Sequence, residues 1–291
     1  MNFLSIRSLV LVFVLSLFPF PKHIAAQQKK TLVPQQPPPP LVRTTTRHEV
    51  RRLGYGGTVT LIGAPNGSIS IEGWTRNEVD ITAEIELRAD TEANLDLLAA
   101  VDNVVVDDDV NHIQILSTGT HDKVFMRSVA KKFPKALLGL PWRVAYRVRV
   151  PLMTDLEVNA GRGPITIAGV EGNVRVSAAE SEANLKMIGG VLSAIISVGK
   201  VNLEVPARSW ARGSVEVRLA AGEIVVSIPS GFSGDFDAEV LRLGKIINSY
   251  EGLESRERQS PTPNKMVLRT GAGGASFNLT VGDGTITIQK Q

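Results

Sequence analysis

Alternation of apolar and polar positions dominates this chain from Gly57 onward. Val59 and Leu61, Ile69 and Ile71, then Val79, Ile81, Ala83, Ile85 and Leu87 recur at every second residue. That period puts side chains on one face of an extended strand. One segment breaks it. Over Asp90–Val101, Leu95, Leu98 and Val101 share a helical face, Asp90 or Thr91 can cap the first amides, and acids occupy the first turn, so the spacing predicts one short helix in the N-terminal half. Strand patterning resumes at Val104, at Ile113 and at Val144-Tyr146-Val148-Val150, where Pro151 lacks a ladder donor.

The second half repeats itself. Two short arms around a small turn read LEV-NAGRGP-ITI at 156–167, VRV-SAAESEAN-LKM at 174–187, VEV-RLAAGE-IVV at 215–226, FDA-EVLRLGK-II at 236–247 and FNL-TVGDGT-ITI at 277–288. LSAIISVGKVNL at 192–203 is an intervening copy, and VTLIGAPNGSISI at 59–71 an early relative. The second arms begin at Ile165, Leu185, Val201, Ile224 and Ile246, in steps of 20, 16, 23 and 22 residues. Such arms are too short to bury a face alone. Stacked at about 4.8 Å, equivalent arms align their inward Val, Ile and Leu and let each strand pair with the next rung. Gly163, Gly199, Gly222, Gly244 and Gly284 fall at the bends. The expectation is an all-β β-solenoid over 49–291, with insertions at about 117–142 and 249–270. A β-sandwich of separate hairpins is the rival. The polar, proline-containing stretch 249–265 reads as a protruding loop.

These residues resemble adhesin-like β-solenoid domains of unknown function found in exported bacterial proteins. The likeness rests on GAPNGSISIEGW at 63–74, YRVRVP at 146–151, LEVNAGRGPITIAGVEGNVRVS at 156–177 and GASFNLTVGDGTITI at 274–288, and it covers about 50–290. The turn SAAESEANL at 177–185 departs from it by lacking glycine, and SVGKV at 197–201 is abbreviated. The resemblance implies a solenoid fold and an adhesin-like role, and supplies no catalytic residues.

Composition and the first residues bear on address and partners. Residues 1–26 carry Arg7, an apolar stretch from Ser8 to Phe20, and Ala25-Ala26 before Gln27, which predicts a cleaved export signal rather than a membrane span of about 20 residues. Residues 27–48 read as a Pro-rich spacer. The protein is then periplasmic, cell-surface or extracellular. Net charge is +3; without Arg7 and Lys22 it falls to +1. With 5% aromatics, that near-balance argues against a nucleic-acid partner. The chain has no cysteine, which excludes disulfides, thiolate metal sites, thiol nucleophiles and a lipid-bearing cysteine.

Candidate chemistry is sparse, and no cofactor, metal or catalytic set is expected. Asp107-Asp108-Asp109 lacks the spaced acids and glycine of a calcium loop and reads as a solvated turn. Ser117, His121 and Asp122 have no nucleophile elbow around them. Asp235, Asp237 and Glu239, with Glu216, Arg218 and Glu223, read as outward charges of a soluble stack, or as acids of a glycan-cutting groove. Trp74, Trp142 and Trp210 are scattered and read as packing residues. The most unusual stretch is KVFMRSVAKKFPKALLGLPW at 123–142, basic and free of acids. Lys123, Phe125, Arg127, Lys131, Lys132, Phe133 and Lys135 form the candidate interaction segment. If helical it carries a stripe of Phe125, Val129 and Phe133, ended by Pro134, and either caps a side of the solenoid or lies on an anionic membrane. The expected function is an exported, non-catalytic binding or scaffolding module for an envelope protein or glycan. The alternatives are a carbohydrate-active β-helix enzyme and a membrane-surface module acting through 123–142.

Overall fold

A computed structural model describes residues 40–129, 133–206, 210, 213–256 and 261–291. The leader and residues 27–39 of the spacer lie outside the described residues, as do Lys131 and Lys132. In chain order come β1 (Leu41–Arg52), β2 (Thr58–Ile62), β3 (Gly67–Trp74) and β4 (Glu78–Ala89), then α1 (Glu92–Ala99), β5 (Asn103–Asp109) and β6 (His112–Thr118). Helix α2 (Lys123–Val129) and a 3-10 turn (Lys135–Leu137) precede β7 (Trp142–Pro151), β8 (Asp155–Arg162) and β9 (Ile165–Ala168). Three long strands follow: β10 (Glu171–Lys186), β11 (Gly189–Glu204) and β12 (Ser214–Ile228). The chain closes with β13 (Gly234–Val240), β14 (Gly244–Asn248), β15 (Glu254–Ser255), β16 (Lys265–Thr270) and β17 (Ala275–Lys290). The described chain is mostly β, and its strands form one large mixed sheet that does not close.

Its middle is parallel and in register. Leu156, Val174, Leu192, Val215, Phe277 and Phe236 succeed one another across β8, β10, β11, β12, β17 and β13. On the second arms, Ile165, Ala183, Val201, Ile224, Ile286 and Ile246 do the same. All twelve are buried in one hydrophobic cluster, where each Val, Ile, Leu or Phe contributes about 1.5–3 kcal/mol relative to exposure. The partner of Ile165 is Ala183, not the expected Leu185. Stacked residues such as Asn184 and Asn202 lie 18 apart in sequence.

At the bends Gly67, Gly163, Gly199, Gly222, Gly284 and Gly244 all take φ between +136° and +149°. They stand in a column so tight that a Cβ on Gly222 would come 1.8 Å from the Gly199 carbonyl oxygen. Ser181 fills the glycine-less position: a Cβ on Gly199 would meet its carbonyl oxygen at 2.0 Å. The rung there keeps its pairing on both sides.

Rung order corrects the expectation that each arm pairs with the next in sequence. The last unit, β17, lies between β12 and β13–β14. The early relative, β2–β3, lies between β6 and β7 on one side and β8 and β9 on the other. The parallel middle gives way to antiparallel pairs at both ends: β7–β4–β1 and β6–β5 at one, β13–β16–β15 at the other. An end strand presents unpaired backbone groups to any other strand. Asp107, Asp108 and Asp109, expected in a turn, lie on β5 and give that outer strand its charge.

Three further expectations change. Strand β1 starts inside the predicted spacer, because beyond Pro40 the β-branched run Thr44-Thr45-Thr46 is free to pair with β4 from Leu41–Ala89 to Arg52–Glu78. The loop predicted over 249–265 contains β15, and β16 follows at once within the predicted 249–270 insertion. The single predicted helix is joined by a second, α2, whose start is capped by Asp122. The predicted helix itself is α1: Thr91 Oγ1 accepts from the Asn94 amide at 3.2 Å, and Leu95, Leu98 and Val101 are buried.

Candidate functional site

The site begins with a buried carboxylate. Just past α1, Asp102 is 2% exposed. Its Oδ1 accepts from the Thr120 amide at 2.6 Å and from the Thr120 hydroxyl at 2.9 Å. Its Oδ2 has no partner among the described residues. Desolvation pushes its pKa up to about 6, against the two Thr120 bonds that lower it. Gly119, at φ +154°, lets the carboxylate sit flush on the backbone; a Cβ there would come 2.1 Å from Oδ1. Asp102 thereby pins the start of the 120–141 excursion to the helical end of the body.

The chain then turns. Asp122 Oδ1 accepts from the amides of Val124 (2.8 Å) and Phe125 (3.1 Å), and those bonds hold its carboxyl below the usual carboxylate range. His121 lies 5.3 Å, centroid to centroid, from the Trp142 ring. Desolvation lowers its pKa, with Asp122 opposing. Met126 and Leu137 are buried, while Phe133 and Leu140 pack partly buried against the core. These residues make the excursion a cover over one flank.

The outer side of the cover is concave. Thr120, His121, Lys123, Met126, Arg127, Phe133, Lys135 and Leu138 line a cleft of about 710 Å³. Of the residues predicted from sequence, Lys123, Arg127, Phe133 and Lys135 are brought together here. Phe125 is half-buried and is not part of the lining; Lys131 and Lys132 lie outside the described residues. Sequence reasoning missed Met126 and Leu138 as lining and Asp102 as support. The apolar ALLGL at 136–140 beside five cations was the available signal for the first two. Nothing local signals that Asp102 meets Thr120.

Several other candidates are engaged elsewhere. The Ser117 hydroxyl is hydrogen-bonded to Tyr146 Oη in the core, and no hydrogen bond among the described residues links it to His121. Asp235 is held by Arg269 at 2.6 Å and by Arg256 at 3.4 Å, Glu216 by Arg218 at 2.6 Å, and Glu223 by Lys200 at 3.0 Å. Among the described residues no group of three or more His, Asp or Glu could hold a metal ion, and no helix is long and apolar enough to cross a membrane. Trp142 and Trp210 are buried. Trp74 is half-buried, with the Arg76 and Arg149 guanidiniums 5.0 and 5.7 Å from its ring.

No protein-family model and no curated protein matches the sequence. Among solved structures, a candidate cell-adhesion protein from Clostridium sporogenes is 14% identical, with 85% of this chain and 100% of that one covered and a TM-score of 0.45. A candidate adhesin from Bacteroides fragilis is 12% identical over 84% and 97%, with a TM-score of 0.26. A candidate lipid-binding protein from Parabacteroides distasonis is 10% identical over 86% and 97%, with a TM-score of 0.23.

Proposed function

We propose that this chain is an exported, non-catalytic, adhesin-like binding module of the cell envelope. Its parallel turns wind as a β-solenoid platform, and its contact with an envelope partner is the 120–138 cleft. One observation carries the reading: Lys123, Arg127 and Lys135 converge on an apolar cleft with no ion-pair partner among the described residues. On the parallel strands and their bends, by contrast, Arg162, Lys186, Lys200, Arg218 and Arg242 are each paired with a carboxylate, although Arg175 and Lys245 have no ion-pair partner among the described residues. Paired exposed charges keep a stack soluble and contribute little else. Unpaired cations around apolar surface mark a place where a partner gains on both counts.

The test is capture from the organism's own envelope extract by the full chain and by the triple variant Lys123→Glu, Arg127→Glu, Lys135→Glu. Loss of capture with unchanged thermal unfolding is expected. Capture that survives the charge reversal would move recognition to the rungs. Release of reducing ends or unsaturated products from a polysaccharide panel would overturn the non-catalytic reading.

A further inference from the structure

We infer that the 120–138 cleft takes a free, single-tailed anionic amphiphile, its head at the Lys123–Arg127–Lys135 rim and its alkyl chain over Met126, Phe133 and Leu138. The inference rests on the proposed role of the cleft as the contact site and names the class of molecule that fills it.

Three observations converge on that chemistry. The volume, about 710 Å³, falls within the roughly 300–1,000 Å³ usual for small-molecule sites, so a compact ligand fits. The lining combines two chemistries, the apolar Met126, Phe133 and Leu138 and the three cations Lys123, Arg127 and Lys135. Leu138 is 41% exposed, so apolar surface is left in water for a tail to cover. The charge is single-signed: among the described residues no carboxylate lines the cleft, and the nearest in sequence, Asp122, is turned onto the amides of Val124 and Phe125.

Competing ligands lack a counterpart. A sugar would want an open aromatic face, and Trp142, under His121, is 5% exposed. A nucleic-acid strand would want stacking aromatics interleaved with the cations, and Phe133, the only aromatic lining residue besides His121 among those described, is packed on the core. A cationic ligand would meet three like charges.

Calorimetric titration of the full chain with octanoate, decanoate and dodecanoate, each below its micelle concentration, tests the inference. 1-Dodecanoylglycerol serves as the uncharged match. Affinity is expected to rise about fourfold for each added methylene, and dodecanoate to bind about tenfold tighter than the uncharged ester. The charge-reversed triple variant loses that tenfold preference and keeps its thermal unfolding. Leu138→Asp, at an exposed position, weakens both ligands. Equal binding by wild type and both variants, absence of chain-length dependence, or binding to anionic vesicles alone overturns the inference. A chain that ignores dodecanoate but captures an envelope protein through the same three cations overturns the ligand class and leaves the proposed function standing. Failure of both captures overturns both.

Discussion

The parallel rungs of β8–β14 with β17 and the 119–141 flank treat the same residue types in opposite ways. On the rungs, acids sit beside guanidiniums. Arg269 bonds hold Asp235 below the usual carboxylate range, and Arg242 does the same for Asp283. On the flank Asp102 is buried with one oxygen unpartnered and its pKa is pushed up to about 6, while Lys123, Arg127 and Lys135 find no carboxylate, in each case among the described residues. The rungs are largely satisfied from within: apart from β14, which pairs only with β17, each arm has a strand on both sides, and many outward charges have a mate. The flank is held by a few buried contacts, and its unmatched charges are turned outward. In such an excursion polar groups can stay unpaired without disturbing the ladder.

The largest test of this contrast is truncation after Gly274. If rungs stacked in sequence order, losing the last unit would only shorten the body. Because β17 lies between β12 and β13, its removal opens the middle, and we expect loss of the cooperative unfolding transition in circular dichroism. Phe277→Ala removes the ring stacked on Phe236 at 4.5 Å and is expected to cost about 4 kcal/mol in urea unfolding. Gly222→Ala, at φ +136° against the Gly199 carbonyl, should cost about 3 kcal/mol. Its flank counterpart Gly139→Ala, with nothing within 4 Å of the new Cβ, should stay within about 0.5 kcal/mol.

The two acid populations give the next test. A carboxyl whose folded pKa is raised binds more protons in the native than in the unfolded state, so its contribution falls as pH rises through the interval between about 4 and 6. Asp102→Asn should flatten that part of the stability–pH profile, by up to about 3 kcal/mol between pH 4 and pH 7. Asp235 and Asp283, shifted the other way, lose their contribution as pH falls and are untouched by the variant. The smallest effect is expected on the rungs. Glu223→Gln breaks the exposed pair with Lys200 and should change unfolding by less than about 0.5 kcal/mol.

Strands, inward faces and bends were legible in the sequence because each is a local property. Period two fixes which side of β8, β10, β12 and β17 faces the core, and a φ near +140° favours glycine at the bends, the one held by Ser181 excepted. The helix at Glu92–Ala99 was legible for the same reason, from Thr91 and the Leu95–Leu98 spacing. Half of the candidate site was also visible, since Lys123, Arg127, Phe133 and Lys135 stand out by charge against apolar neighbours. Rung order was not, because arms with the same inward Val and Ile offer equivalent edges, and nothing in β13 says that β17 rather than β12 will pair with it. The tertiary structure decided that by returning the chain through β16 and seating Phe277 on Phe236. It also decided that Asp102 meets Thr120 and that Met126 and Leu138 join the cations. Those contacts depend on where separate elements come to rest, which no local period encodes.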